Sequence, residues 1–117
     1  MNMGELSERR KLTRYILRLP VHFGYLNRDG AREEGEGFTR EISLQGVYVH
    51  AESLPPPDAE IDLDIYFTSL PETDKNLKFM AKAKVIRLEP RTLDGRTGGF
   101  ASITRYLTLF KGVEPFP

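Results

Sequence analysis

Two short segments hold the residues best suited to chemistry. The first is Arg10-Lys11-Leu12-Thr13-Arg14, preceded by Arg9 and followed closely by Leu19-Pro20-Val21. Arginine carries a planar fork of donors that fits phosphate oxygens bidentately and can also stack on, or hydrogen-bond to, a guanine edge. Two arginines four apart in a flexible segment can close over a bound anion from two sides. The competing reading is a solvated basic tail. The second segment is Glu41-Ile42-Ser43-Leu44-Gln45-Gly46. Its carboxylate can accept from the N1 and N2 donors of guanine, its serine can donate to a phosphate or cap a turn, and its glycine permits a turn or a close backbone approach. The competing reading is a tight connection between two strands, with Ser43 and Gly46 present for turn geometry.

Catalysis has fewer candidates. His22 and His50 are the only imidazoles. Each falls on the polar side of an expected strand, and neither neighbours a serine-containing elbow or a second ligand at metal spacing. Asp62 and Asp64 share one face at i, i+2 spacing, as a carboxylate dyad would, but simple strand alternation accounts for them. Phosphate-binding glycine loops and metal signatures are absent. The sequence therefore predicts a binding protein rather than an enzyme, with no metal or cofactor.

The elements that must position these residues are short strands. Val21, Phe23 and Tyr25 alternate with His22 and Gly24, and Pro20 stands at the entry, where a missing donor does least harm. Asn27-Arg28-Asp29-Gly30 supplies a turn, Arg32 to Gly37 extends it as a polar loop, and a second strand is expected over Phe38 to Glu41. Gly46 to Ala51 alternates again and ends before Pro55-Pro56-Pro57-Asp58. Ile61, Leu63, Ile65 and Phe67 mark the clearest strand, half core and half solvent. Ser69 to Asp74 reads as a loop. Leu77, Phe79, Ala81, Ala83 and Val85 form the next strand, and Ile86 and Leu88 break its phase, a slip that a β-bulge or a strong bend would produce. Leu93-Asp94-Gly95-Arg96 is a hairpin signal, Gly99 to Thr104 a last strand, and Tyr106 to Lys111 one or two helical turns stopped by Gly112 and Pro115. Six strands with turn signals between them predict an all-β fold, a small antiparallel barrel or sandwich.

Composition narrows the partners. The chain has 117 residues, 17 Lys and Arg against 17 Asp and Glu, and no cysteine. One domain with a core able to fold without staples is the expectation. Disulfide scaffolds and thiolate chemistry are excluded, which fits the cytoplasm. No apolar run is long enough to span a membrane, so no insertion is expected. Zero net charge argues against a grip on long DNA or RNA. The balance is uneven along the chain, however. Arg9, Arg10, Lys11, Arg14 and Arg18 stand against Glu5 and Glu8 at the start, and the stretch from Arg28 to Asp64 is acidic. A small anion can be held by the first cluster even though the whole is neutral.

Taken in order, Arg10-x-x-x-Arg14, a Pro-Val strand and Glu41-x-Ser43-x-x-Gly46 leading into an apolar strand resemble the PilZ domain of bacterial cyclic di-GMP receptors. Looser agreement comes from the Pro55 to Asp58 break, the long Leu77 to Leu88 strand and Gly98-Gly99-Phe100. The resemblance implies a six-stranded barrel over residues 19–117, a flexible segment over 1–18 carrying the arginine motif, and a short C-terminal helical piece. It also implies that Arg10 and Arg14 bind phosphate oxygens and the guanine edge, with Arg9 as an auxiliary contact. Glu41 takes the guanine-recognising position, and Ser43 and Gly46 complete the surface. The expected function is a receptor that changes conformation with cyclic di-GMP and signals to an unidentified downstream protein, as a monomer or weak homodimer, in motility or biofilm formation. One departure is that Glu41 stands where the family usually has Asp or Asn. An alternative is a PilZ-like interaction module that no longer binds the nucleotide. A third reading is a single-stranded nucleic-acid binder using Tyr48, Tyr66 and Phe67.

Overall fold

A computed structural model describes residues 13–70, 75–90 and 97–111. Six strands follow one another: β1 (Pro20–Leu26), β2 (Arg32–Ile42), β3 (Gly46–Ala51), β4 (Glu60–Leu70), β5 (Lys75–Glu89) and β6 (Gly99–Lys111). They close into a barrel in the order β1-β2-β3-β6-β5-β4, with every neighbouring pair antiparallel. Two three-stranded meanders, β1-β2-β3 and β4-β5-β6, thus meet along two seams, β1 against β4 and β3 against β6.

The alternating residues turn inward as their period requires. Val21, Phe23, Val49, Leu63, Ile65, Val85 and Phe100 are each almost fully buried. The Phe23 and Phe100 rings meet edge to face with centroids 5.1 Å apart, which ties β1 to β6 across the barrel. The proline-rich crossover from β3 to β4 packs Pro55 fully inside and bends at Asp58, whose φ of 64° suits a short polar side chain.

Of the bulge or bend expected at Ile86, the structure has the bulge: Val85 pairs with Ser102 and Arg87 with Ala101, leaving Ile86 as the extra residue, half exposed. Two further bulges lie at Arg40 on β2 and Arg105 on β6. The turn at Asn27 is also as expected. Its side-chain oxygen accepts from the Asp29 and Ala31 amides at 2.8 and 3.0 Å.

Three expectations are corrected. Residues 106–111 are not helical: they continue β6 and pair with Leu77 to Lys82 of β5. A 15-residue β5 offers backbone partners well past the barrel rim, and pairing with it outweighs a weak local helical preference. Arg32 to Gly37 is not loop but the first half of β2, paired with β1 from Leu26 to Val21. Its glutamates and arginine point to solvent, so a polar composition is compatible with a strand there. β4 likewise runs on through Ser69 and Leu70. The hairpin expected at Leu93 to Arg96 and the end of the chain after Lys111 lie outside the described residues. Among the described residues, no helix is long and apolar enough to cross a membrane.

Candidate functional site

The site gathers around the turn between β2 and β3. Ser43 organises that turn: its hydroxyl accepts from the Gln45 and Gly46 amides at 3.2 Å each, and its own amide donates to the Gly46 carbonyl at 2.9 Å. Gly46 is dictated by proximity, since a Cβ there would stand 2.2 Å from the Ser102 carbonyl oxygen of β6. Both residues therefore serve the turn, and both line the cavity it borders.

The stretch from Tyr15 to Leu19 is held to the end of β2. The amides of Tyr15 and Ile42 donate to each other's carbonyls at 2.8 and 2.9 Å. Farther along, the Leu19 amide donates to Thr39 Oγ1 at 2.9 Å, and the Thr39 hydroxyl donates to the Leu17 carbonyl. This clamp places Arg14 beside the second segment, with Nη1 at 3.4 Å from Glu41 Oε1. Arg14 and Glu41, 27 positions apart in the chain, therefore form one constellation. Arg9 and Arg10 lie outside the described residues.

Arg40, Arg87 and Glu89, which the sequence did not single out as ligand contacts, complete it around Tyr48. Arg40 is the extra residue of the β2 bulge, a feature that re-aims side chains. Its guanidinium stacks 3.7 Å above the Tyr48 ring, and its Nη2 donates to Glu41 Oε2 at 3.3 Å. Arg87 follows the β5 bulge and approaches the same ring, 6.0 Å from its centroid. The Tyr48 hydroxyl donates to the Glu89 carboxylate. Burial first, and then that carboxylate, push the Tyr48 phenol up to about 12. The Tyr48 hydroxyl, backed by Arg87 and Arg40, holds Glu89 below the usual carboxylate range. The signals for Arg40 and Arg87 are indirect: one of three cations in an acidic stretch, and a cation beside a phase slip.

These groups border a cavity of about 370 Å³ with Arg14, Glu41, Ser43, Gly46, Arg87 and Ser102 in its wall. A second, of about 790 Å³, adds Arg18, Phe38, His50 and Glu89. Arg40 and Tyr48 belong to both. Arg18 stacks on Phe38 at 3.8 Å, so the larger cleft carries two guanidinium–aromatic stacks. Chemically the surface offers fixed cations for an anion and planar groups for a planar ligand. Glu41 adds a carboxylate that can exchange an arginine for another pair of donors.

Two of the remaining candidates, His22 and Asp62, form ion pairs. His22 Nε2 lies 3.1 Å from Glu34. Asp62 is bracketed by Arg32 at 3.0 Å and Lys82 at 2.6 Å. Burial alone would push its carboxyl up, but these two cations hold it below the ordinary aspartate value. Among the described residues, no group of three or more His, Asp or Glu could hold a metal ion. Tyr48 lies on β3 and Tyr66 and Phe67 on β4, strands that are not neighbours, so these aromatics do not form one stacking stripe. The sequence matches no known family model and no curated protein.

Proposed function

We propose that this protein is a PilZ-like receptor for cyclic di-GMP. The observation that carries the reading is the contact between Arg14 and Glu41 at 3.4 Å, which joins the two sequence segments on a surface that also holds Arg40 and Arg87. In this reading Arg14, with Arg9 and Arg10 from the same segment, takes the phosphates and one guanine edge. Glu41 releases arginine and accepts the N1 and N2 donors of a guanine. Ser43 and Gly46 form the floor. Arg40 and Arg87 add positive charge, and the Arg40–Tyr48 stack supplies a flat surface for a base.

Ligand binding then has a structural consequence. The segment carrying Arg14 is joined to the end of β2 by the reciprocal backbone pair at Tyr15. An anion that draws Arg14 away from Glu41 changes how the surface at Arg14 is presented to a downstream protein. The test is competition: labelled cyclic di-GMP bound to the protein should be displaced by unlabelled cyclic di-GMP and not by cyclic di-AMP or GTP. Equal displacement by all three removes the reading.

One observation favours a second reading, a PilZ-like module that acts through protein contacts alone. Both Glu41 oxygens are already engaged, Oε1 with Arg14 and Oε2 with Arg40. The longer glutamate thus satisfies internally the cations a ligand would need. On that reading wild type fails to bind and Glu41→Asp, one methylene shorter, gains binding.

A further inference from the structure

β6 is paired on both sides only in its first part. Gly99 to Ile103 faces Gly46 to His50 of β3, and the last link is the Thr104 amide donating to the Gln45 carbonyl at 2.8 Å. From Tyr106 onward β6 pairs with β5 alone, opposite Leu77 to Lys82. Among the described residues no strand covers its other edge. Such an edge presents a row of unmet amide and carbonyl groups, and soluble proteins usually blunt it with lysine, proline or a bulge. Here Tyr106 is 72% exposed and Leu107 and Leu109 are 44% exposed.

The residues along this edge are self-complementary. Arg105-Tyr106-Leu107-Thr108-Leu109-Phe110-Lys111 has the same order of chemistry read in either direction from Thr108: leucine, aromatic, cation. A two-fold interface requires a surface that matches itself when reversed. Antiparallel pairing about Thr108 sets Thr108 against Thr108 of the second copy. It also sets Leu107 against the second copy's Leu109, and Tyr106 against its Phe110. These are favourable cross-strand pairs. The only like-charged match is Arg105 with Lys111 at the ends. It is relieved because the Arg105 guanidinium turns away across β5 to Glu60 of β4, with Nε at 3.3 Å from Oε1.

We propose that the outer edge of β6 is a homodimer interface in which a second copy of this chain pairs antiparallel about Thr108. The contact is short and belongs with the small, weak class of interfaces, so the dimer forms as concentration rises. Sedimentation of the full chain over a concentration series tests it. The apparent mass should climb from the 13.4 kDa of one chain toward twice that value. Replacing both leucines by lysine (L107K/L109K) puts like charges opposite each other and should hold the protein at one chain. The pair L107K/L109E, in which each introduced lysine faces an introduced glutamate, should dimerise again and serves as the folding control. A wild type that stays at one chain throughout overturns the proposal. So does a double-lysine variant that associates like wild type, or a lysine–glutamate variant that stays at one chain.

Discussion

Arg14 Nη1 and Glu41 Oε1 stand 3.4 Å apart, with the Glu41 carboxylate also accepting from Arg40 at 3.3 Å. The Arg14 side chain is 73% exposed, so this pair contributes little to folding, under about 1 kcal/mol. A partner exchange at Glu41 is therefore inexpensive. If the carboxylate reads guanine, Glu41→Gln should reduce the preference for cyclic di-GMP over cyclic di-AMP by roughly tenfold or more, the worth of a charged hydrogen bond. Competition with the two dinucleotides measures the ratio. An unchanged ratio would take Glu41 out of base recognition.

The turn that supports the site makes a stability prediction of its own. Ser43→Ala removes the acceptor for the Gln45 and Gly46 amides and should cost about 1 kcal/mol, since one of these groups is already open to water. Gly46→Ala should cost more, roughly 2 to 4 kcal/mol, because the added Cβ meets the backbone of β6, which cannot rotate out of the way as a side chain would. Urea denaturation of the two variants gives the order. A Gly46→Ala protein as stable as wild type contradicts the close packing of β3 on β6.

Tyr48 gives a pH signature. Its phenol is raised in the folded state, so the folded protein holds that proton more tightly than the unfolded chain does. The associated stability, roughly 2 to 3 kcal/mol, is fully present below the ordinary tyrosine value and is lost as pH rises through about 12. In ultraviolet titration Tyr48→Phe should remove a late ionising step near pH 12. A missing step at ordinary tyrosine pH instead would show that Tyr48 is not sheltered by burial and Glu89.

Asp62 works in the opposite direction. Burial opposes its charge, but Lys82 and Arg32 keep its carboxyl below the ordinary value. Its contribution is present above the ordinary aspartate pKa and is lost as pH falls through the lowered one. The stability difference between wild type and Asp62→Asn should accordingly shrink on acidification. A difference that stays constant with pH would mean the two cations do not act on it.

Much of the barrel is legible in the residues themselves. Ile61, Leu63 and Ile65 alternate without interruption, and the slip at Ile86 marks the place of its bulge. Arg32 to Gly37 is not legible as a strand, because two glycines and three glutamates carry no apolar period and only pairing with β1 shapes them. Tyr106 to Phe110 is obscured for another reason: its apolar residues lie half exposed on an edge, where burial leaves no alternation to read. The site divides in the same way. Glu41, Ser43 and Gly46 are local in sequence and could be found there. Arg40 and Arg87 join them only because bulges on two different strands aim both toward Tyr48. Arg40→Ala should weaken cyclic di-GMP binding about tenfold, by loss of one charged contact; unaltered affinity would place Arg40 outside the ligand surface.

The central claim is that Arg14 and the β2–β3 turn bind one dinucleotide together. Calorimetric titration of cyclic di-GMP into wild type and Arg14→Ala tests it most directly. Saturable heat is predicted for wild type, with affinity lowered roughly tenfold to a hundredfold in the variant. Equal binding curves for the two proteins, or no heat from either, would contradict it.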